Sequence, residues 1–139
     1  MNKIKKNDGV GWVYSEVVKD HFLNPRNIVR TDVPDWKYNG EGEVGSPACG
    51  DVMKVWILVE NNKIEKIGWK TFGCASAIAS TSMMSEMVLG KEILEAKQIT
   101  AKKIIDQLGG LPRQKIHCSV LGDQALKKAI GDFESKLEL

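Results

Sequence analysis

The sequence predicts an α+β domain, and three observations carry that prediction. Its 139 residues fit one domain. Apart from one short helix near the start, its strand-like segments come first, before residue 72. Helix-periodic segments fill the remainder. Strand and helix signals that alternated would argue for a parallel α/β sheet, whereas segregated ones argue for α+β.

Residues 1–13 read as a flexible lead-in, and 14–139 as a single domain. The lysines at positions 3, 5 and 6 read as a solvated tail. A helix is expected from Tyr14 to Leu23, with Val17, Val18 and Phe22 as its apolar side and His21 on its surface. Asn24-Pro25 stops it, because proline cannot continue the hydrogen-bond ladder and disfavours helix in the residue before it. An irregular stretch through Pro34, Trp36 and Gly40 follows.

Glu41–Gly45 is expected as an edge strand. Asp51–Glu60 is rich in β-branched and aromatic residues and reads as the strongest strand. Asn61-Asn62 is a turn signal, and Lys63–Lys70 alternates imperfectly as the hairpin partner. From Ala75, the residues Ala75, Ala79, Met83 and Met87 repeat at helical spacing until Gly90. That methionine stripe reads as core. Short helices are expected over Lys91–Ala96 and Thr100–Leu108, stopped by Gly109-Gly110 and Pro112. In the last helix Leu126, Ala129, Ile130, Phe133 and Leu137 fall on one face.

Bulk composition excludes several function classes. With 42% apolar and 27% charged residues the chain is an ordinary globular sequence. Its net charge of +2 and scattered lysines give no basic stripe for nucleic acid. No stretch approaches the roughly 18 apolar residues of a membrane span. The first twelve residues lack the apolar centre of a secretory signal. A cytoplasmic, reducing location is therefore expected, where thiols stay unpaired with one another.

The chemistry lies in three cysteines, Cys49, Cys74 and Cys118. The number is odd, so they cannot all pair within one chain. A chain of this length buries roughly two-thirds of its unfolded surface and needs no staple to fold. Each cysteine sits at a junction between elements. Cys49 lies in the bend Ser46-Pro47-Ala48-Cys49-Gly50-Asp51, ahead of the main strand. Cys74 and Cys118 each open a helical segment, where unpaired amides and the helix dipole favour thiolate over thiol. Brought together, three thiolates suit zinc or iron and leave one position of a tetrahedral site open. Asp51, two residues beyond Cys49 in an extended segment, is one candidate for it, and His117 is the other. Asp51 also reads as a residue that caps or stabilises its bend, and His117 equally as a loop histidine. A carboxylate oxygen would hold a cluster less firmly than a fourth thiolate, which suits a site that releases its cargo. No CxxC pair supports a zinc ribbon. His117 beside Cys118 does not make a nucleophile–base pair either, because adjacent residues rarely reach that geometry.

Four ordered blocks carry a resemblance. They are Asp20-His21-Phe22-Leu23-Asn24-Pro25-Arg26-Asn27; Gly45-Ser46-Pro47-Ala48-Cys49-Gly50-Asp51; Lys70-Thr71-Phe72-Gly73-Cys74-Ala75-Ser76-Ala77-Ile78-Ala79-Ser80; and Lys115-Ile116-His117-Cys118-Ser119. Over Tyr14–Leu137 the chain resembles the IscU-type iron–sulfur cluster scaffolds, also seen as the N-terminal domain of NifU. The resemblance implies a three-stranded antiparallel sheet packed by about five helices. It implies that Cys49, Cys74 and Cys118 ligate a nascent [2Fe-2S] cluster, with Asp51 or His117 near the fourth position, and that zinc occupies the same pocket in cluster-free members. It implies that Asp51 keeps the cluster labile and that Cys118 accepts persulfide sulfur from a cysteine desulfurase. Apo-protein acceptors, with frataxin-like and ferredoxin partners, follow from the same resemblance. The role is that of a carrier, not an enzyme; a zinc-dependent sulfur acceptor that stimulates the desulfurase is the alternative.

The chain departs from the family pattern in places. Val29 stands where a glycine is usual, and Ala75 replaces the glycine after the second cysteine. Leu111-Pro112-Arg113-Gln114-Lys115 differs from the usual Leu-Pro-Pro-Val-Lys read by an Hsp70-type chaperone, which puts that partnership in question. No insertion lengthens the Cys74–Cys118 segment, which points away from the zinc-binding SufU-like branch. The additional domains of NifU are not expected, since the sequence stops soon after the last helix.

Overall fold

The computed structural model describes residues 14–46, 50–111 and 116–137, with side chains for all of these except residues 46, 51 and 116–119. The expected lead-in over 1–13 lies outside the described residues. Element order is α1 (Glu16–Leu23), β1 (Gly40–Ser46), β2 (Asp51–Glu60), β3 (Lys63–Phe72), α2 (Ala75–Val88), α3 (Ile93–Lys97), α4 (Ala101–Leu108) and α5 (Ile116–Leu137). The strands form one antiparallel sheet in the order β1-β2-β3. The α+β expectation and its three-stranded sheet therefore hold.

The β2–β3 hairpin turns on Asn61 and Asn62, with φ of 54° and 66°. Two left-handed residues in a two-residue loop match the right-handed twist of the flanking strands, and asparagine tolerates that region. A bulge at Leu58/Val59 explains the imperfect alternation of β3. The pairing passes from Leu58↔Lys66 to Val59↔Ile64, so Glu65 is the extra residue. Ile64 and Ile67 can then both be buried although three residues apart.

On one sheet face, Met53, Val55, Ile57, Val59, Ile64, Ile67 and Trp69 join residues from the helices in the main core. Helix α2 lies at the centre of the helical layer, against α1, α4, α5 and β3. It is buried nearly all round, and Ala79, Met83 and Met84 pack inward as core. Its buried hydroxyls are satisfied, as burial requires. Ser76 Oγ pairs with the Tyr14 hydroxyl at 2.9 Å, Thr81 donates to Ala77 O at 2.8 Å, and Ser85 donates to Ser82 O at 2.7 Å.

The opposite sheet face is covered by the stretch expected to be irregular. Residues 27–39 run across it, tied at one end by Val29 N to Trp69 O (2.8 Å). At the other end the Asn39 side chain accepts from Val59 N (2.8 Å) and donates to Val59 O (2.9 Å). Tyr38 lies edge-on to Trp56 with ring centroids 6.3 Å apart.

Three expectations are corrected. His21 is not a surface residue: it is 3% exposed and pairs through Nδ1 with Ser82 Oγ at 2.7 Å. The apolar side of α1 is not Val17, Val18 and Phe22 together. Val18 and His21 face inward, while Val17 and Phe22 are exposed, because α1 turns its inner face to the serines of α2. The continuous face of α5 stops at half-buried Phe133, and Leu137 is 68% exposed because the helix has run past the core.

Helix boundaries follow local chemistry. Ser15 caps α1, accepting from Val18 N at 3.0 Å, and its hydroxyl also donates to Leu108 O at the end of α4. Thr100 caps α4. Gly109, at φ 84°, closes α4 in the left-handed conformation that glycine adopts freely. Helix α3 starts two residues later than expected, because Gly90 and Lys91 pair with Ile64 at the edge of β3.

Candidate functional site

The backbone register brings three junctions to one end of the sheet. Ser46 pairs with Asp51 across the β1–β2 end, and Val52 pairs with Phe72 at the close of β3. The β1–β2 connection and the β3–α2 connection are thus neighbours. Helix α5 joins them from above. A Cβ on Gly40 would lie 2.5 Å from Ala129 O, and one on Gly42 would lie 2.5 Å from Ala125 O. Moving along β1 from Gly40 toward Ser46 therefore moves along α5 from Ala129 toward its start. An open groove lined by Val44, Gly45, Gln124 and Lys127 continues that progression.

Each candidate residue is located as follows. Cys74 is the N-cap of α2, with extended backbone (φ −80°, ψ 175°), half-buried against the core. Its carbonyl accepts from Ile78 N at 3.1 Å, which starts the helix. Asp51 opens β2, and His117 and Cys118 lie in the first turn of α5, all three known by backbone alone. Cys49 lies outside the described residues, between the paired ends Ser46 and Asp51. Within Leu111-Pro112-Arg113-Gln114-Lys115, Leu111 packs against the core and the other four lie outside the described residues. Among the described residues, no three His, Cys, Asp or Glu side chains gather to hold a metal ion. No described helix is long and apolar enough to cross a membrane.

The junctions supply useful electrostatics. Two helices, α2 and α5, begin at this end with no acidic side chain in the first turn. The partial positive charge at each helix start is suited to an anionic group bound at this end. Phe72, beside Cys74, stands largely exposed at the same end.

A second constellation fixes how α1 lies on α2, and sequence reasoning missed it. Arg26 N donates to Ser82 Oγ at 2.9 Å, and Asn27 Nδ2 donates to Ser85 Oγ at 2.9 Å. Arg26 also pairs with Asp20 at 2.7 Å. The Arg26 hydrogen bond holds the exposed Asp20 carboxyl below its usual range. His21 Nε2 lies 3.5 Å from Glu86. Burial pushes the His21 pKa below its ordinary value, and the nearby Arg26 charge adds to that, with Glu86 opposing. The block from Asp20 to Asn27 was the available signal, but its partners are serines of α2 that periodicity reads as ordinary helix.

Residues 13–138 match the family described as NifU-like N terminal domain. The iron-sulfur cluster assembly scaffold protein IscU of Escherichia coli (strain K12) is 50% identical over 126 residues, covering 90% of this chain and 97% of that protein. IscU 1 of Archaeoglobus fulgidus is 50% identical over 124 residues, covering 89% of this chain and 78% of that protein. Among solved structures, the N-terminal NifU-like protein from Brucella abortus shares the fold at a TM-score of 0.66 and 18% identity, covering 88% of this chain and 94% of that one. A family match over nearly the whole chain and half-identity to curated relatives lead to one conclusion: the chain belongs to the NifU-like N-terminal domain family.

Proposed function

We propose that this chain is an iron–sulfur cluster assembly scaffold, building a [2Fe-2S] cluster as cargo and passing it to apo-proteins. The observation that carries the reading is 50% identity to an IscU scaffold over 90% of this chain. The convergence of the three cysteine-bearing junctions on one end of the sheet supports it. Cys49, Cys74 and Cys118 serve as the thiolate ligands, and Asp51 or His117 stands by the fourth position.

Sulfur arrives by thiol exchange. The Cys118 thiolate attacks the outer sulfur of the persulfide on a cysteine desulfurase. The donor's S–S bond breaks, its cysteine leaves as thiolate, and Cys118 carries the persulfide. Two electrons from a ferredoxin-like donor then cleave the new S–S bond, releasing sulfide to ferrous iron held by the thiolates. The cluster departs to acceptor proteins because its fourth ligand is a weak one. This is carrier chemistry in the cytoplasm, with zinc held in the same pocket when the cluster is absent.

The test is anaerobic reconstitution with a cysteine desulfurase, cysteine and ferrous iron, beside an Asp51→Ala variant. The expected result is visible absorption with matched iron and sulfide, and a longer-lived cluster in the variant. A colourless protein that retains zinc and raises desulfurase turnover would sink the scaffold reading in favour of a zinc-dependent sulfur acceptor.

A further inference from the structure

Gly122 lies one helical turn beyond Cys118 in α5, and it meets α2 at Thr81. A Cβ built on Gly122 would lie 2.9 Å from Thr81 Oγ1 and 3.5 Å from Thr81 Cα. Thr81 lies two turns into the helix that Cys74 caps. It is wholly buried and cannot swing away at little cost. Its hydroxyl donates to Ala77 O at 2.8 Å and sits 3.5 Å from Met53 Sδ. The two helices whose starts carry Cys74 and Cys118 therefore touch at a point where one partner has no side chain.

The other contacts of α5 determine what a methyl group would do there. Beyond Gly122 the helix is seated on β1, where Gly42 lets the backbone of Ala125 and Ala129 approach closely. That seat resists translation of the whole helix, so a push at residue 122 tilts α5 about it. With a rise of about 1.5 Å per residue, Gly122 is roughly 7.5 Å from the middle of the seat and Cys118 roughly 6 Å further out. Relieving the contact to ordinary van der Waals distance takes about 0.5 Å at residue 122. The tilt enlarges that to about 0.9 Å at Cys118, beyond the ~0.5 Å within which a binding constellation must be held.

We infer that the Gly122–Thr81 contact is a positioning pair that sets the spacing between the Cys74 and Cys118 ends of the pocket. The inference rests on the scaffold reading for its biological meaning, while its geometry stands on α2 and α5 alone. Neither residue belongs to the proposed ligand set. A chain with a larger residue at 122 needs a smaller one at 81 to keep the same spacing.

The experiment compares the native chain with Gly122→Ala, Thr81→Ala and the double variant. Each is read first by thermal unfolding and then by Co²⁺ titration, followed through thiolate-to-cobalt absorption. Cluster lifetime after anaerobic reconstitution is the second readout. Gly122→Ala is expected to weaken Co²⁺ binding about tenfold and shorten cluster lifetime, as sub-ångström misplacement of a ligand does. Adding Thr81→Ala is expected to restore both. Native Co²⁺ affinity in a folded Gly122→Ala protein overturns the inference. So does a folded double variant that stays as weak as the single one. If Gly122→Ala alone does not fold, the double variant decides: native-like Co²⁺ binding upholds the pairing, and about tenfold weaker binding overturns it. A native chain that forms no cluster, with the Co²⁺ ranking intact, sinks the scaffold reading only. A native cluster with identical Co²⁺ affinities sinks the positioning pair only.

Discussion

Replacing Gly42 with alanine tests how α5 is seated. The new Cβ would lie 2.5 Å from Ala125 O, 2.6 Å from Ala129 N and 2.7 Å from Lys128 Cβ. Two of these are backbone atoms of a helix, so no side-chain rotation relieves them. The closest approach falls about 0.9 Å inside ordinary contact. Lifting α5 by that distance loosens the packing of Leu121, Ala125, Leu126 and Ala129 on the sheet. A gap of that size forfeits a quarter to a half of each contact's dispersion energy. Overpacking costs 1–3 kcal/mol in general, and contact with immovable backbone puts this case near ~3 kcal/mol. That is a large share of the ~5–15 kcal/mol available to a domain. The assay is urea unfolding followed by tryptophan fluorescence and far-UV circular dichroism. With a slope of about 2 kcal/mol per molar, the midpoint should fall by roughly 1.5 M. Gly131→Ala is the control on the same helix, where a Cβ meets nothing within 4 Å. It should raise stability by about 1 kcal/mol, the helix-interior difference between glycine and alanine. A loss below about 1 kcal/mol for Gly42→Ala at unchanged slope would refute the reasoning.

Two further predictions concern α1. The buried His21 has its pKa depressed by burial, so the unfolded chain binds a proton more readily than the folded one as pH falls. Its contribution to stability is unaffected above the unfolded pKa near 6.5 and is lost progressively below it, by at most about 1.4 kcal/mol per pH unit. Urea midpoints at pH 7.5 and 5.5 should therefore fall further for the native chain than for His21→Gln, and equal falls would count against the assignment. Tyr14→Phe strands the buried Ser76 hydroxyl, costing about 1–2 kcal/mol, and adding Ser76→Ala should recover most of it in a double-mutant cycle.

Strands and helices were legible because their signals are local. The β-branched run over 51–60 and the Asn61-Asn62 turn located the hairpin, and the bulge showed only as a flaw in alternation. The cysteine blocks stand out as motifs in the same local way: Cys49 and Cys74 each adjoin a glycine between elements, and Cys118 falls in the first turn of α5. His21 was misread because a histidine on an amphipathic helix defaults to the surface, and only Ser82 and Glu86, some sixty residues away, give it a buried partner.

The sequence by itself determined the fold class, the element order and the family, and it nominated the residues proposed to carry the chemistry. Those depend on short-range periodicity, turn chemistry and motif identity, all of which one stretch of chain can hold. Only the tertiary structure decided that the three junctions meet at one end of the sheet, that α1 is clasped to α2 through buried serines, and that Gly42 and Gly122 seat α5. Those are relations between backbones far apart in the chain. A glycine that opens space for a distant helix leaves the same mark in a sequence as one that merely turns a loop.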